Sequence, residues 1–180
     1  MILDGTGKGF QMKVDSAHHA EIHSFMQQYA HWAAHHEGRA FTWSLVPYNY
    51  AALDTIILVR NDNADLDLVI TDLWMCSDAA TNAIIHYTDG VAFVPAGVAI
   101  VGVNSNRKSI VPALATAMGD ETANAQGNIA LQLPLVANEI LHISTRDAVI
   151  LGYHNCIAID YPTVGTMAWA AIAGYYHPIA

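Results

Sequence analysis

Along most of the chain, apolar residues come in short bursts separated by clusters of Asn, Asp, Gly, Pro and Ser. Bursts of this length, rich in β-branched and aromatic residues and punctuated by turn chemistry, predict the strands of a β-sandwich or barrel. The clearest cover 41–46, 55–60, 66–76, 82–88 and 91–94. Others cover 98–103, 109–117, 128–133, 139–144, 148–153, 156–160 and 167–176. In one of them Leu66, Leu68 and Ile70 alternate with Asp65, Asp67 and Val69, the period of a strand with one face buried. Asp89-Gly90 lies between two bursts and predicts a two-residue hairpin, because both turn positions favour φ > 0. The polar run 61–65 (Asn-Asp-Asn-Ala-Asp) joins two long apolar strands and predicts a second hairpin.

Two stretches break the strand pattern. Residues 24–37 are rich in helix formers, and 29–36 predicts two helical turns ended by Gly38. Residues 116–126 are Ala-rich, with Gly119 within them and Gly127 after them, and read as a loop or one short helix. There is no internal repeat, linker or low-complexity block. The expectation is a single jelly-roll-like antiparallel β-sandwich over 38–180, preceded by an extended N-terminal arm and connecting segment over 1–37.

Composition changes what that sandwich is expected to do. Of 180 residues, 53% are apolar but only 13% are charged, against roughly 25% for an ordinary soluble domain. So little charge leaves apolar patches facing water, and such patches mark contacts with other chains. An obligate oligomer or assembly component is therefore expected. The net charge is −9 and the seven Lys and Arg form no basic cluster, which argues against a nucleic-acid partner. The apolar opening is broken by Asp4 and does not read as a secretory signal. The apolar run 167–173 is far short of the ~20 residues of a membrane helix, so no membrane partner is expected. Cys76 and Cys156 predict two buried thiols made in a reducing compartment rather than a disulfide scaffold.

Candidate chemistry adds little. Gly5-Thr6-Gly7-Lys8-Gly9 suggests a phosphate loop, but Lys8 is followed by Gly9 instead of Ser or Thr, and no strand precedes it. Among ten histidines, His31 and His35 share the spacing of one helix face, yet His36-Glu37 is followed by Gly-Arg-Ala and not by the second half of a zincin motif. His18, His19 and His23 have no carboxylate-rich partner segment. There is no G-x-S-x-G elbow, and Cys156 with His154 read as ordinary neighbours on one strand face. Trp32, Trp43, Trp74 and Trp169 read as core or interface anchors in preference to a sugar platform. The acidic group 62–67 lacks an EF-hand pattern, and turn solvation accounts for it. The chain reads as no enzyme, with no metal, cofactor or small-molecule ligand.

The opening D-G-T-G-K-G-F-x-x-K-V-D-S resembles the start of a family of tailed-bacteriophage virion structural proteins. The likeness continues through Arg60-Asn61, Leu68-Val69-Ile70, Tyr87-Thr88-Asp89-Gly90, Val103-Asn104-Ser105-Asn106 and the Pro162–Gly165 corner before a last strand ending Gly174-Tyr175-Tyr176. The insert 26–37 and the Tyr48–Tyr50 stretch are less typical of it. The resemblance implies a jelly-roll-type sandwich built into the virion as a head decoration or cement protein, assembled in the host cytoplasm. It implies as partners the major capsid protein and further copies of the chain, as a homotrimer. In that reading the arm adds a strand to a neighbour, with Ile2, Leu3, Phe10, Met12, Val14 and Trp32 as interface residues. The alternative is a neck, tail or fibre-associated sandwich that binds a receptor or glycan.

Overall fold

In a computed structural model, the described residues are 33–45, 48–51, 54–89, 97–121 and 128–179. They form a sandwich of two antiparallel sheets, as the spacing of apolar bursts predicts. A helical turn, Ala33–Glu37, precedes twelve strands. These are β1 (Ala40–Ser44), β2 (Tyr48–Tyr50), β3 (Asp54–Asn61), β4 (Leu66–Ser77), β5 (Thr81–Asp89) and β6 (Val98–Ala99). They continue with β7 (Val103–Asn104), β8 (Ala115–Glu121), β9 (Asn128–Leu135), β10 (Leu141–Leu151), β11 (Asn155–Tyr161) and β12 (Gly165–Pro178).

The first sheet runs β10-β4-β12-β1-β7, with β2 beside the start of β12; the second runs β6-β8-β3-β11-β5-β9. Four strand pairs carry the framework, and they nest. β1 pairs with β12 and β4 with β10 in the first sheet; β3 pairs with β11 and β5 with β9 in the second. The chain thus folds as one long hairpin whose successive rungs alternate between sheets. Phe41, Trp43, Ile57, Ile70, Ile159 and Tyr176, all buried, belong to the core cluster drawn from both sheets.

The longest partnership is β4 with β12, and a bulge decides its facing. Along β12 the even positions Ala168, Ala170, Ile172 and Tyr176 are buried in the core. Their β4 partners are odd up to Leu73, then even from Ile70 downward, because Ala173 pairs with Asp72 while Gly174 pairs with Ile70. Thr71 is the extra residue of a β-bulge, and it lets Leu68 and Ile70 face inward together with Leu73 and Met75. Both flanking strands accommodate it. A Cβ on Gly174 would sit 2.6 Å from the Val69 carbonyl oxygen, so only glycine lets the bulged backbone approach. On the other side Thr145 donates its hydroxyl to the Ile70 carbonyl, where β10 has its own irregularity between Ser144 and Val149.

The run 61–65 does not make the predicted hairpin: β3 and β4 lie in different sheets. Asn61 explains why. Its buried amide donates to the Leu66 carbonyl at 2.8 Å and the Leu151 carbonyl at 2.9 Å, and its side-chain oxygen accepts from the Asn63 amide at 3.0 Å. Asn63 repeats this turn onto the Asp65 amide. Two consecutive Asx turns steer the chain across the sandwich instead of back along the same sheet. The same asparagine ties this corner to the neighbouring β10–β11 corner, where the His154 amide donates to the Asn61 carbonyl at 2.7 Å.

Other expectations are corrected too. Of the 116–126 stretch, residues 116–121 belong to a strand, since Met118 and Gly119 pair with Leu58 and Ile57 of β3, and 122–126 lie outside the described residues. Residues 109–114, expected as strand, form an irregular approach to it. His154 occupies a turn with φ of +64°, so it shares no strand face with Cys156. Of the predicted helix, the described part is the turn Ala33–Glu37, closed as expected by Gly38 at φ +63° and an Arg39 amide bond back to the Ala33 carbonyl. The Asp89-Gly90 hairpin reaches outside the described residues.

Substituting Gly174→Ala should therefore cost about 1–3 kcal/mol, the range of overpacking against atoms that cannot move. Urea unfolding of the variant beside the unaltered chain measures this. A loss under 0.5 kcal/mol would show that the bulge does not need the glycine.

Candidate assembly surface

A two-sheet sandwich has two open sides, where the edge strands of the sheets face each other. Here each side is closed by chain crossing from one sheet to the other. On one side, residues 97–104 leave β6 at the edge of the second sheet and reach β7 at the edge of the first. The chain then returns through 105–114, held by Asn104, whose amide donates to the Gly38 carbonyl at 2.6 Å and the Val111 carbonyl at 3.1 Å. On the other side, β9 at the edge of the second sheet turns through 136–140 into β10 at the edge of the first. The Asn138 amide bonds the Ser77 carbonyl at 2.7 Å and fixes that turn.

Both sides expose large apolar residues. The 97–114 side presents Val98, Val101, Val103, Ile110 and Leu114, with Ile110 97% exposed and Val101 82%. The β9–β10 side presents Leu131, Val136 and Ile140, with Ile129 and Ile150 at its rims on the outward faces of the two sheets; Ile140 is 65% exposed and Ile129 60%. On each side this amounts to about three fully exposed side chains, worth roughly 5–9 kcal/mol gross if buried at ~1.5–3 kcal/mol each. Association costs of ~4–15 kcal/mol are of the same order, so burial of one side alone does little more than offset them.

The two sides differ in charge and relief. Arg107 and Lys108, the chain's only adjacent cations, stand on the 97–114 side beside a groove of about 470 Å³ lined also by Ala34, Ser105 and Asn106. That segment contains no acid. The β9–β10 side carries exposed Glu139 at its turn, and Asp147 next to Arg146 in the β10 irregularity. A groove of about 430 Å³ lies between the end of β10 and the ends of β5 and β11, lined by Tyr87, Thr88, Ile150 and Leu151 among others.

Two polar clusters lie elsewhere. On the outer face of the first sheet, Trp74 stacks on His142 with ring centroids 5.1 Å apart and planes 8° off parallel. His142 Nε2 sits 2.8 Å from Asp72 Oδ1, so a tryptophan, an imidazole and a carboxylate share one patch. On the outward face of the second sheet, His86 Nε2 lies 2.9 Å from Asp160 Oδ2, and both side chains are buried. Burial pushes the Asp160 carboxyl above the usual carboxylate range, against the opposing pull of a Thr55 hydrogen bond and the His86 charge; Asp54 adds to the rise. Exposed Asp78 goes the other way, held low chiefly by the Thr166 hydroxyl and by backbone amides at Thr166 and Met167.

Among the described residues, no three His, Cys, Asp or Glu side chains converge as metal ligands, and no helix is long and apolar enough to cross a membrane. Cys76 and Cys156 are buried, as expected, and no disulfide joins them. Trp43 is a core residue. The sequence-predicted interface residues Ile2, Leu3, Phe10, Met12, Val14 and Trp32 lie outside the described residues. Apolar patches were expected from the low charge, but their location was missed because all of these residues except Val136 sit inside bursts that read as ordinary strands. The chain matches no known family model, curated protein or solved structure.

The buried carboxyl gives a pH test. With its folded pKa above the unfolded value of about 3.9, Asp160 binds more protons in the folded state between those two values. Its contribution to stability therefore falls as pH rises through that interval. Asp160→Asn lacks this titration, so its stability relative to the unaltered chain should climb as pH rises from about 4 toward neutrality. Urea titrations of both chains at stepped pH measure this; a difference flat with pH would refute the raised carboxyl.

Proposed function

We propose that this chain is a structural component of a bacteriophage virion, a head decoration or cement protein that stabilises the shell through subunit–subunit contacts. The observation that carries the reading is the pair of apolar sides on a chain with only 13% charged residues. A free monomer does not keep two such sides in water, whereas a component repeated over a shell covers them. The nested pairing of β1 with β12, β3 with β11, β4 with β10 and β5 with β9 supports reading the sandwich as a jelly roll, an architecture that recurs in capsid proteins. The D-G-T-G-K-G opening and the turn motifs along the chain support the virion assignment by resemblance. In this reading the protein has no catalytic step. It works by burial, with the arm reaching a neighbouring subunit or the major capsid protein and the sandwich packing against its own copies.

A second reading, a glycan- or receptor-binding sandwich at the neck, tail or fibre, is favoured by the Asp72, Trp74 and His142 patch, since sugars stack on tryptophan and bond to carboxylates. It predicts binding in a glycan panel that Trp74→Ala weakens at least tenfold; a panel with no binder removes it.

Removal of residues 1–14 tests the leading reading. The described strands and their core begin beyond that segment, so the truncated chain should keep its β-sheet circular dichroism and melting transition. It should also fail to co-sediment with capsids that bind the full chain. Equal incorporation of truncated and full chains would rule out the arm as anchor. No incorporation of the full chain into any particle would rule out the virion role.

A further inference from the structure

We propose that copies of this chain assemble head to tail, the 97–114 side of one against the β9–β10 side of the next, into a closed ring. The inference deepens the reading of the chain as an assembly component and does not depend on which particle it serves. Three observations support it. The sandwich has apolar residues on both open sides, and a single kind of contact covers both only if the two sides meet each other. A contact of either side with its own symmetry mate would leave the opposite side in water.

Charge points the same way. Self-pairing of the 97–114 side would bring two Arg107–Lys108 pairs together with no acid in that segment to separate them. The head-to-tail contact instead sets those cations against the side that carries Glu139 and Asp147 with one cation, Arg146, for a net negative charge. The third observation is the contrast in edge strands. β9 and β10 are eight and eleven residues long, each with one neighbour in its sheet among the described residues, so within those residues each leaves a row of backbone groups open to a further strand. β6 and β7, at two residues each, are too short to template a long added strand and offer apolar side chains instead. The two surfaces differ in kind, as the two halves of a heterologous contact do. A heterologous contact closes into a ring when its rotation divides the full turn, and otherwise runs on as a fibre.

The test takes one substitution on each side, Ile110→Asp and Ile140→Asp, in the full chain, with mass read by size-exclusion chromatography and light scattering. Both positions are largely exposed, so each variant should keep the β-sheet circular dichroism of the unaltered chain, while losing whatever thermal stability assembly confers. The unaltered chain is expected as a discrete oligomer, and each variant alone as a 19.4 kDa monomer. Mixed in equal amounts, the two should form a dimer and stop there, because each retains one intact half of the contact. A variant that assembles like the unaltered chain, or dimerises by itself, overturns the head-to-tail contact. So does an unaltered chain that is monomeric or forms open fibres. Val101→Asp and Ile129→Asp repeat the experiment on the same two sides if either first variant loses its β-sheet circular dichroism. No particle is used, so an intact ring that fails to bind capsids would count against the virion role alone, and an oligomer indifferent to both substitutions would count against the ring alone.

Discussion

Strand β4 has to show apolar residues to the core along twelve positions, and its sequence cannot do so at a constant period of two. Leu68 and Ile70 are even, Leu73 and Met75 odd, so a regular strand would turn one pair into the core and the other toward solvent. The Thr71 bulge reconciles them. It needs a partner strand without a side chain at the point of closest approach and a donor for the displaced carbonyls, and Gly174 and Thr145 meet those two needs. Because β4 lies between β10 and β12, a slip at this point would reverse the facing of all three strands. The remainder of the first sheet inherits its register from this junction.

Nesting then passes the constraint to the second sheet. Each crossing between sheets on the outgoing half of the hairpin lies beside a crossing on the returning half. The clearest case is the corner at 62–65, which Asn61 bonds to the end of β10 and to the turn at His154. A buried asparagine that satisfies both its own turn and a carbonyl ninety residues away fixes the two corners relative to each other. Most contacts of this architecture join distant parts of the sequence, so such polar clamps supply specificity that apolar packing alone leaves loose.

Strand positions were legible because alternation and turn residues are local signals. Bursts at 41–46, 55–60, 66–76 and 156–160 fall on β1, β3, β4 and β11 within a residue or two. The Gly38 stop was legible for the same reason, since a left-handed residue after a helical turn is a property of a few neighbours. What escaped was long-range. Whether Asn-Asp-Asn-Ala-Asp makes a hairpin or a crossing depends on what Asn61 finds across the sandwich at Leu151, and nothing within the turn reveals it. The segment 115–121 is Ala- and Gly-rich by composition yet becomes β8, because the β3 edge accepts its backbone and Gly119 makes room for Leu45. The exposed sides are a third case. Apolar residues in strands look alike in sequence whether the surface that covers them belongs to the same chain or to another.

The placement of acid bears on how such sides can coexist with solubility. Asp62, Asp65 and Asp67 crowd the β3–β4 corner, at the end of the sandwich and not along its apolar sides. Asp62 is engaged by Arg60 at 2.6 Å and by Thr116, while Asp65 is exposed at the corner. With a net charge of −9 on the chain, this cluster adds repulsion where strand ends would stack, whereas the sides carry charges of opposite sign, Arg107 and Lys108 on one and Glu139 and Asp147 on the other. A uniformly acidic surface would oppose association in every direction, and a uniformly apolar one would permit it in every direction. Segregating the two leaves sideways contact as the direction of least repulsion and greatest burial. That bias comes from the fold itself, since the corners of a sandwich are made of turns, which take Asp and Asn for their own hydrogen bonds, while its sides are made of edge strands.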